Sequence, residues 1–240
     1  MRRIPTRIDL PATFRFSQGC EHGCAYCYAR NSHEYWGYSA GTDFEDTILY
    51  KPRAPQLLEN LFQQPRWKPE PIMISGNTDC YQPLEKKLQI TRQLLKIFVK
   101  YRHPVGLITK NALIQRDIDL LRQLQEHRLV RVSVSLTTLD EKLRRVLEPR
   151  TASVRKRLQT IELLAQNDIP TQVMTAPIIP GLNSHEVMDL GQAASEAGAR
   201  NIQYTMVRLN GQVAPIFMNW VQQHFPDRYA KIAHGIEDLH

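Results

Sequence analysis

The chain has 240 residues, 42% hydrophobic and 23% charged, with 31 basic against 24 acidic side chains and a net charge of +7. That is enough for one large α/β domain, or two small ones at a stretch, with the composition of a soluble globular protein. No apolar run approaches a membrane span, and the start Met1-Arg2-Arg3-Ile4-Pro5 has no apolar stretch behind it, so neither a membrane protein nor a secretory signal is expected.

The first predicted element is a short strand over Thr13–Phe16, followed by the loop Cys20-Glu21-His22-Gly23-Cys24-Ala25-Tyr26-Cys27. Cys80 is the only other cysteine. Four cysteines, three of them at ligand spacing, argue for a reducing compartment rather than a disulfide framework, so a cytoplasmic location is expected. The stretch 31–71 has little periodicity, carries Tyr35, Trp36, Tyr38 and Phe44, and reads as a wrapped insertion with a short helix at Pro55–Phe62. Further strands are predicted at Ile72–Ser75, Val105–Thr109, Val130–Leu136, Thr171–Ala176 and Ile202–Leu209. Between them, Ile90, Leu94, Ile97 and Phe98 fall at helical spacing, as do Leu120, Leu121 and Leu124, and then Leu158, Ile161, Leu164 and Ala165. Asp117 and Ser184 signal helix starts, and two last helices are expected near Pro215–Phe225 and Asp227–Ile236.

Strands alternating with helices indicate βαβ units and a mostly parallel sheet. Six units fall short of the eight of a closed barrel. The expected fold class is therefore α/β, an open, partial (β/α)6 TIM-like barrel with parallel strands, in a single domain over 1–240. In such architectures the site forms at the carboxyl ends of the strands. That places the cysteine loop, Asn77-Thr78-Asp79-Cys80, Thr109-Lys110-Asn111, Thr137-Thr138, Pro177 with Gly181, and Arg208-Leu209-Asn210 at one mouth.

Three thiolates on one loop can hold an iron–sulfur cluster or zinc, yet supply one ligand too few for a closed site. A zinc site would need His22, His33 or Cys80 to complete it, and zinc usually takes pairs separated in the chain. A non-enzymatic zinc or iron–sulfur module that binds nucleic acid is the competing class. Lys142, Arg144, Arg145, Arg150, Arg155, Lys156 and Arg157 lie within sixteen residues and suit DNA or RNA, or else form a solvated helical face. No aromatic residues are interleaved with them.

The spacing C-x3-C-x2-C with an aromatic before the last cysteine resembles the loop of radical S-adenosylmethionine (SAM) enzymes. Within that superfamily, Gly19–Arg30 together with His33–Gly37, Thr78–Pro83, Thr137–Asp140, Glu148-Pro149-Arg150 and Ala176–Gly181 resembles the subgroup related to spore photoproduct lyase. The resemblance implies that Cys20, Cys24 and Cys27 hold a [4Fe-4S] cluster whose fourth iron is chelated by SAM. Reductive cleavage of SAM then gives a 5′-deoxyadenosyl radical that abstracts hydrogen from an unidentified substrate, a nucleic acid in a repair-lyase-like version. It implies an electron donor such as flavodoxin or ferredoxin. By position, Tyr26 lies against the adenine, and Asn77, Thr78 and Asp79 stand in for the missing Gly-Gly-Glu-like motif that meets the SAM amino group. Thr109 joins this cofactor-binding set. Ser133 and Ser135 suit the ribose hydroxyls, Arg150 the SAM carboxylate, and Pro177 the adenine. Cys80 is a candidate catalytic hydrogen donor, with inert packing as its alternative. The subgroup carries further basic and glycine-rich sequence, so the helical segment 212–240 is expected to be a truncated end.

Overall fold

A computed structural model describes residues 2–3, 13–74 and 76–239; Ser75, the close of the second predicted strand, lies outside them, as does most of the start Met1-Arg2-Arg3-Ile4-Pro5. The strands are β1 (Arg2–Arg3), β2 (Thr13–Phe14), β3 (Ser17–Gln18), β4 (Leu49–Tyr50), β5 (Ile72–Ile74), β6 (Val105–Thr109), β7 (Val130–Ser135), β8 (Thr171–Ile178) and β9 (Asn201–Met206). The helices are α1 (Asp43–Asp46), α2 (Ala54–Phe62), α3 (Glu85–Leu88), α4 (Ile90–Lys100), α5 (Ile118–Glu126), α6 (Glu141–Leu147), α7 (Val154–Gln166), α8 (Val187–Glu196), α9 (Val213–His224) and α10 (Tyr229–Glu237). None is long and apolar enough to cross a membrane.

The large sheet runs β2-β5-β6-β7-β8-β9 with every neighbouring pair parallel, the open six-stranded partial barrel that the alternation implies. A small sheet, β1-β4-β3, sits where the chain leaves β2 and returns through the insertion. Alternate residues of the large sheet, Ile72 and Ile74, Val105 and Leu107, Val130, Val132 and Val134, and Val173, are buried in one apolar core with Leu94, Leu95, Phe98, Leu121, Leu124, Ile161 and Leu164 from the helices. The other alternation lines the inside. Register puts Gly106 beside Arg131, Ser133 beside Gln172, Gln172 beside Asn201, Ser135 beside Met174, and Met174 beside Gln203. Closed barrels fill this space with branched apolar layers. Here it is mostly small or polar, so the inside is a cleft rather than a core.

Local expectations changed in three places. Asp117 does not cap α5: its carboxylate is fully buried and takes Arg92, Arg116 and the Tyr81 hydroxyl, while a 3₁₀ turn over Ala112–Asp117, capped by Asn111, leads into the helix. Ser184 opens a 3₁₀ turn ahead of α8, and its hydroxyl accepts from Gly181 N. The last strand ends at Met206 rather than Leu209, because Val207 turns into a second core with Ile179, Leu182 and Phe217.

Candidate cofactor site

The cysteine loop leaves the small sheet through Gly19, whose φ of 80° belongs to the left-handed region; a Cβ there would meet Thr47 O at 2.7 Å. It is then tied down from several sides. Cys20 N donates to Phe44 O at 2.8 Å, Ala25 N to Leu147 O at 3.0 Å, and Arg150 N to His22 O at 3.2 Å. Arg30, only 3% exposed, donates to Cys24 O through Nε and Nη2, reaches Ala40 O and Gly41 O, and pairs with Glu45 at 2.5 Å. Gln82 and Glu21 clamp the loop against the turn before α3.

Cys20, Cys24 and Cys27, none in a disulfide, line one cavity of about 130 Å³ together with Lys110, Asp79 and Ser135. Burial pushes the Cys20 thiol up to about 12, with Asp79 adding to the effect, and raises Cys24 and Cys27 as well. Thiols in such surroundings ionise when a metal centre takes them. Among the described residues, no three His, Cys, Asp or Glu side chains are grouped to hold a single metal ion. The proposed completing ligands of a zinc site have other partners, although His22 lines the same cavity. His22 Nδ1 is 3.4 Å from Asp79 and its Nε2 3.2 Å from Asn111, His33 Nε2 bonds Thr47 O, and Cys80 Sγ donates to Ile108 O at 3.8 Å. Three soft donors around a shared space fit a cluster larger than one ion.

Asp79 organises the mouth. Its carboxylate accepts from Thr109 Oγ1 at 2.7 Å, Lys110 N at 2.6 Å and Tyr81 N at 2.8 Å, joining the ends of β5 and β6. Thr78 Oγ1 shares a hydrogen bond with Ser17 Oγ, and Asn77 Nδ2 donates to Gln18 Oε1 and Ser32 Oγ. Asn77, Thr78, Asp79, Thr109 and Ser135 all line the cavity. Ser133 lies deeper and accepts from Gln172 Nε2 at 2.6 Å.

Four predicted residues are placed elsewhere. Tyr26 is buried and its hydroxyl donates to Glu148. Arg150 points outward to Glu45 and Glu21 O rather than into the cavity. Pro177 O accepts from Asn183 Nδ2, behind the mouth. Cys80, 1% exposed, belongs to the apolar core rather than to the cysteine-loop cavity, the position of its packing alternative.

Sequence reasoning passed over three groups. Lys110 is the only ammonium or guanidinium lining the cavity among the described residues, and its Nζ lies 5.8 Å from the Tyr26 ring centroid. Burial works against its charge, but Glu148 and Cys24 outweigh it and raise its pKa. Its place directly after β6 was the available signal. Glu148 and Arg157 form a buried ion pair of 2.5 Å beneath the loop. Burial alone would raise the Glu148 carboxyl, yet Arg157 and Lys110, with hydrogen bonds from Tyr26 and Thr137, hold it at about 2. Tyr28, 64% exposed, closes the cavity's outer side and donates to Gly76 O.

The basic run is split between interior and surface, with Arg145 exposed beside Glu141 at 3.5 Å. Arg157 and Arg144 are buried and consumed by Glu148, Glu141 and backbone carbonyls, and Arg150 pairs with Glu45, leaving Lys142, Arg155 and Lys156 exposed and without a carboxylate partner among the described residues.

Residues 14–194 match the Radical SAM superfamily. An uncharacterised protein of Mycobacterium bovis is 31% identical over 95% of this chain and 68% of its own length. An uncharacterised protein of Methanocaldococcus jannaschii is 27% identical over 95% of this chain and 82% of its own. The structure of spore photoproduct lyase complexed with dinucleoside spore photoproduct superposes with a TM-score of 0.64 at 14% identity, over 88% of this chain; this chain spans 59% of that lyase. The structure of anSMEcpe with bound AdoMet and a peptide gives a TM-score of 0.54 at 12% identity, over 91% of this chain and 60% of its own.

Proposed function

The chain belongs to the radical SAM superfamily, and from that premise we propose that it is an enzyme acting on an unidentified substrate at the mouth above Ser135. The observation that carries this reading is the convergence of three free thiols, Lys110 and the Asp79 hub on one cavity at the carboxyl ends of parallel strands. Membership implies a [4Fe-4S] cluster and SAM as cofactors. When bound, they supply abstraction of a hydrogen atom from an unreactive C–H bond.

The residues present fit that pair of groups. Cys20, Cys24 and Cys27 would hold the cluster. Lys110, rather than Arg150, faces the cavity with a cation for the SAM carboxylate, since the Arg150 fork is already taken by Glu45. Asp79 has most of its acceptor capacity committed to backbone and Thr109, so it shapes the amino-group site, which Thr78 and neighbouring carbonyls complete. Ser135 offers a hydroxyl on the lumen side. Tyr28 and the buried Tyr26 keep bulk water from the thiols.

Anaerobic reconstitution with iron and sulfide, followed by SAM and a strong reductant, tests the reading. A brown protein with about four irons per chain that releases 5′-deoxyadenosine supports it. A colourless protein holding one zinc per chain sinks it.

A nucleic-acid substrate is the second reading, favoured by Tyr28, Tyr35 and Trp36, which are 64%, 91% and 40% exposed along the 3₁₀ segment leading away from the cavity. A DNA or RNA oligonucleotide should then bind with strongly salt-dependent affinity; no binding at low salt removes this reading. The net positive charge also suits an acidic one-electron donor such as flavodoxin or ferredoxin.

A further inference from the structure

The inner face of the barrel leads from the cysteine cavity to a second concavity at the opposite end. Ser135 lines the first, and Arg131, four residues earlier on the same face of β7, lines the second. At about 3.3 Å per residue the two ends lie about 13 Å apart. The second concavity holds about 580 Å³ and is bordered by Arg128, Arg131, Arg200, Gln125, Gln172 and Asn201.

Three features set it apart from ordinary surface. No carboxylate lines it, and none of its three guanidiniums makes an ion pair or a hydrogen bond with another described residue. Arg128 and Arg131 flank the start of β7, and the fold brings Arg200 to them from the turn before β9. Gln125 Oε1, at the rim, is buried with no hydrogen-bond partner, which a ligand hydroxyl or a bound water can supply. Above it, the inner face carries Ser133, which accepts from Gln172 Nε2 at 2.6 Å and is buried, and then Met174 beside Gln203.

We infer that this lower concavity binds a phosphate group of a nucleotide-sized ligand, whose remainder lies against Gln125, Gln172 and Asn201. Planar guanidiniums match phosphate oxygens bidentately, and their charge is otherwise uncompensated. The inference does not rest on the radical SAM reading, since the two concavities share no residue.

Calorimetric titration with inorganic pyrophosphate and with a nucleoside diphosphate, at low salt and on the reconstituted full chain, tests it. Saturable pyrophosphate binding is expected, weakened about tenfold or more in the Arg131→Gln/Arg200→Gln double variant and unchanged in Lys96→Gln, an exposed control on α4. Far-UV circular dichroism checks that each variant is folded. The nucleoside diphosphate should bind about tenfold more tightly than pyrophosphate, and Asn201→Ala, which removes a polar group from the concavity wall, should reduce that gain. Absence of saturable binding, equal binding in the double variant, or no gain from the nucleoside overturns the proposal. Iron uptake is scored in the same preparation. A colourless chain that binds through Arg131 and Arg200 sinks the radical reading and leaves the phosphate site standing; a brown chain without binding does the reverse.

Discussion

Glu148 carries two duties from a position with no exposure. It receives the Tyr26 hydroxyl from between two cysteines, and it neutralises Arg157, which in turn donates to Ser135 O at the lip of the cavity. Its folded-state pKa, about 2, lies below the ordinary 4.5. The ionised carboxylate therefore stabilises the fold above about pH 4.5, and that contribution, about 3 kcal/mol, is lost as pH falls toward 2. Glu148→Gln should cost about 3 kcal/mol at pH 7 by leaving Arg157 buried and uncompensated, and the difference from the parent should shrink between pH 4.5 and 2. Denaturant unfolding of the cluster-free protein across that range measures it. At the thiols, Cys27→Ala should abolish iron binding, whereas Cys80→Ala should keep a full iron content and lose about 1 kcal/mol of stability for a small core void; loss of iron in the second would make Cys80 a ligand. The three thiol positions were legible because their spacing is local. Lys110 and Glu148 were not singled out, because a cation's role depends on which acids it faces and which are already taken.

The cysteine loop is an element shaped by its supports. Gly23 sits at φ 68°, and a Cβ there would lie 2.5 Å from the Arg150 guanidinium and 2.7 Å from Glu45 Oε2. Gly23→Ala combines backbone strain of about 1–2 kcal/mol with a steric push on the Arg150–Glu45 pair. It should lower iron retention under chelator challenge while the far-UV spectrum of the barrel stays unchanged; unaltered retention would show that the loop tolerates displacement. The six strands of the large sheet were read to within two or three residues at their ends, since β-branched alternation is a two-residue signal, whereas the two-residue strands β1, β3 and β4 are too short to show one. Helix starts were read less well. Asp117 looks like a cap in sequence, but the buried Arg92 and Arg116 contacts compete for its carboxylate and win. Likewise, a run of seven basic residues reads as a charged surface until Arg144 and Arg157 turn inward to Glu141 and Glu148.

At the scale of the whole molecule the barrel stops at β9, an edge strand whose outer side chains Ile202 and Tyr204 are 38% and 67% exposed. Exposed apolar edges promote association through unpaired backbone groups. Tyr204→Lys should reduce concentration-dependent self-association in light scattering and change stability by less than about 0.5 kcal/mol; unaltered association would place the contact elsewhere. Alternating strands and helices were sufficient in sequence to determine six parallel βα units and to put the cysteine loop at the carboxyl end of the first, because periodicity and ligand spacing are short-range properties. Tertiary structure alone decided that Arg150 faces outward while Lys110 faces the thiols, that Cys80 packs in the core, and that Arg200 joins Arg128 and Arg131 around one concavity. Those are questions of which partner reaches a group first, and the answer is set by how the elements pack together.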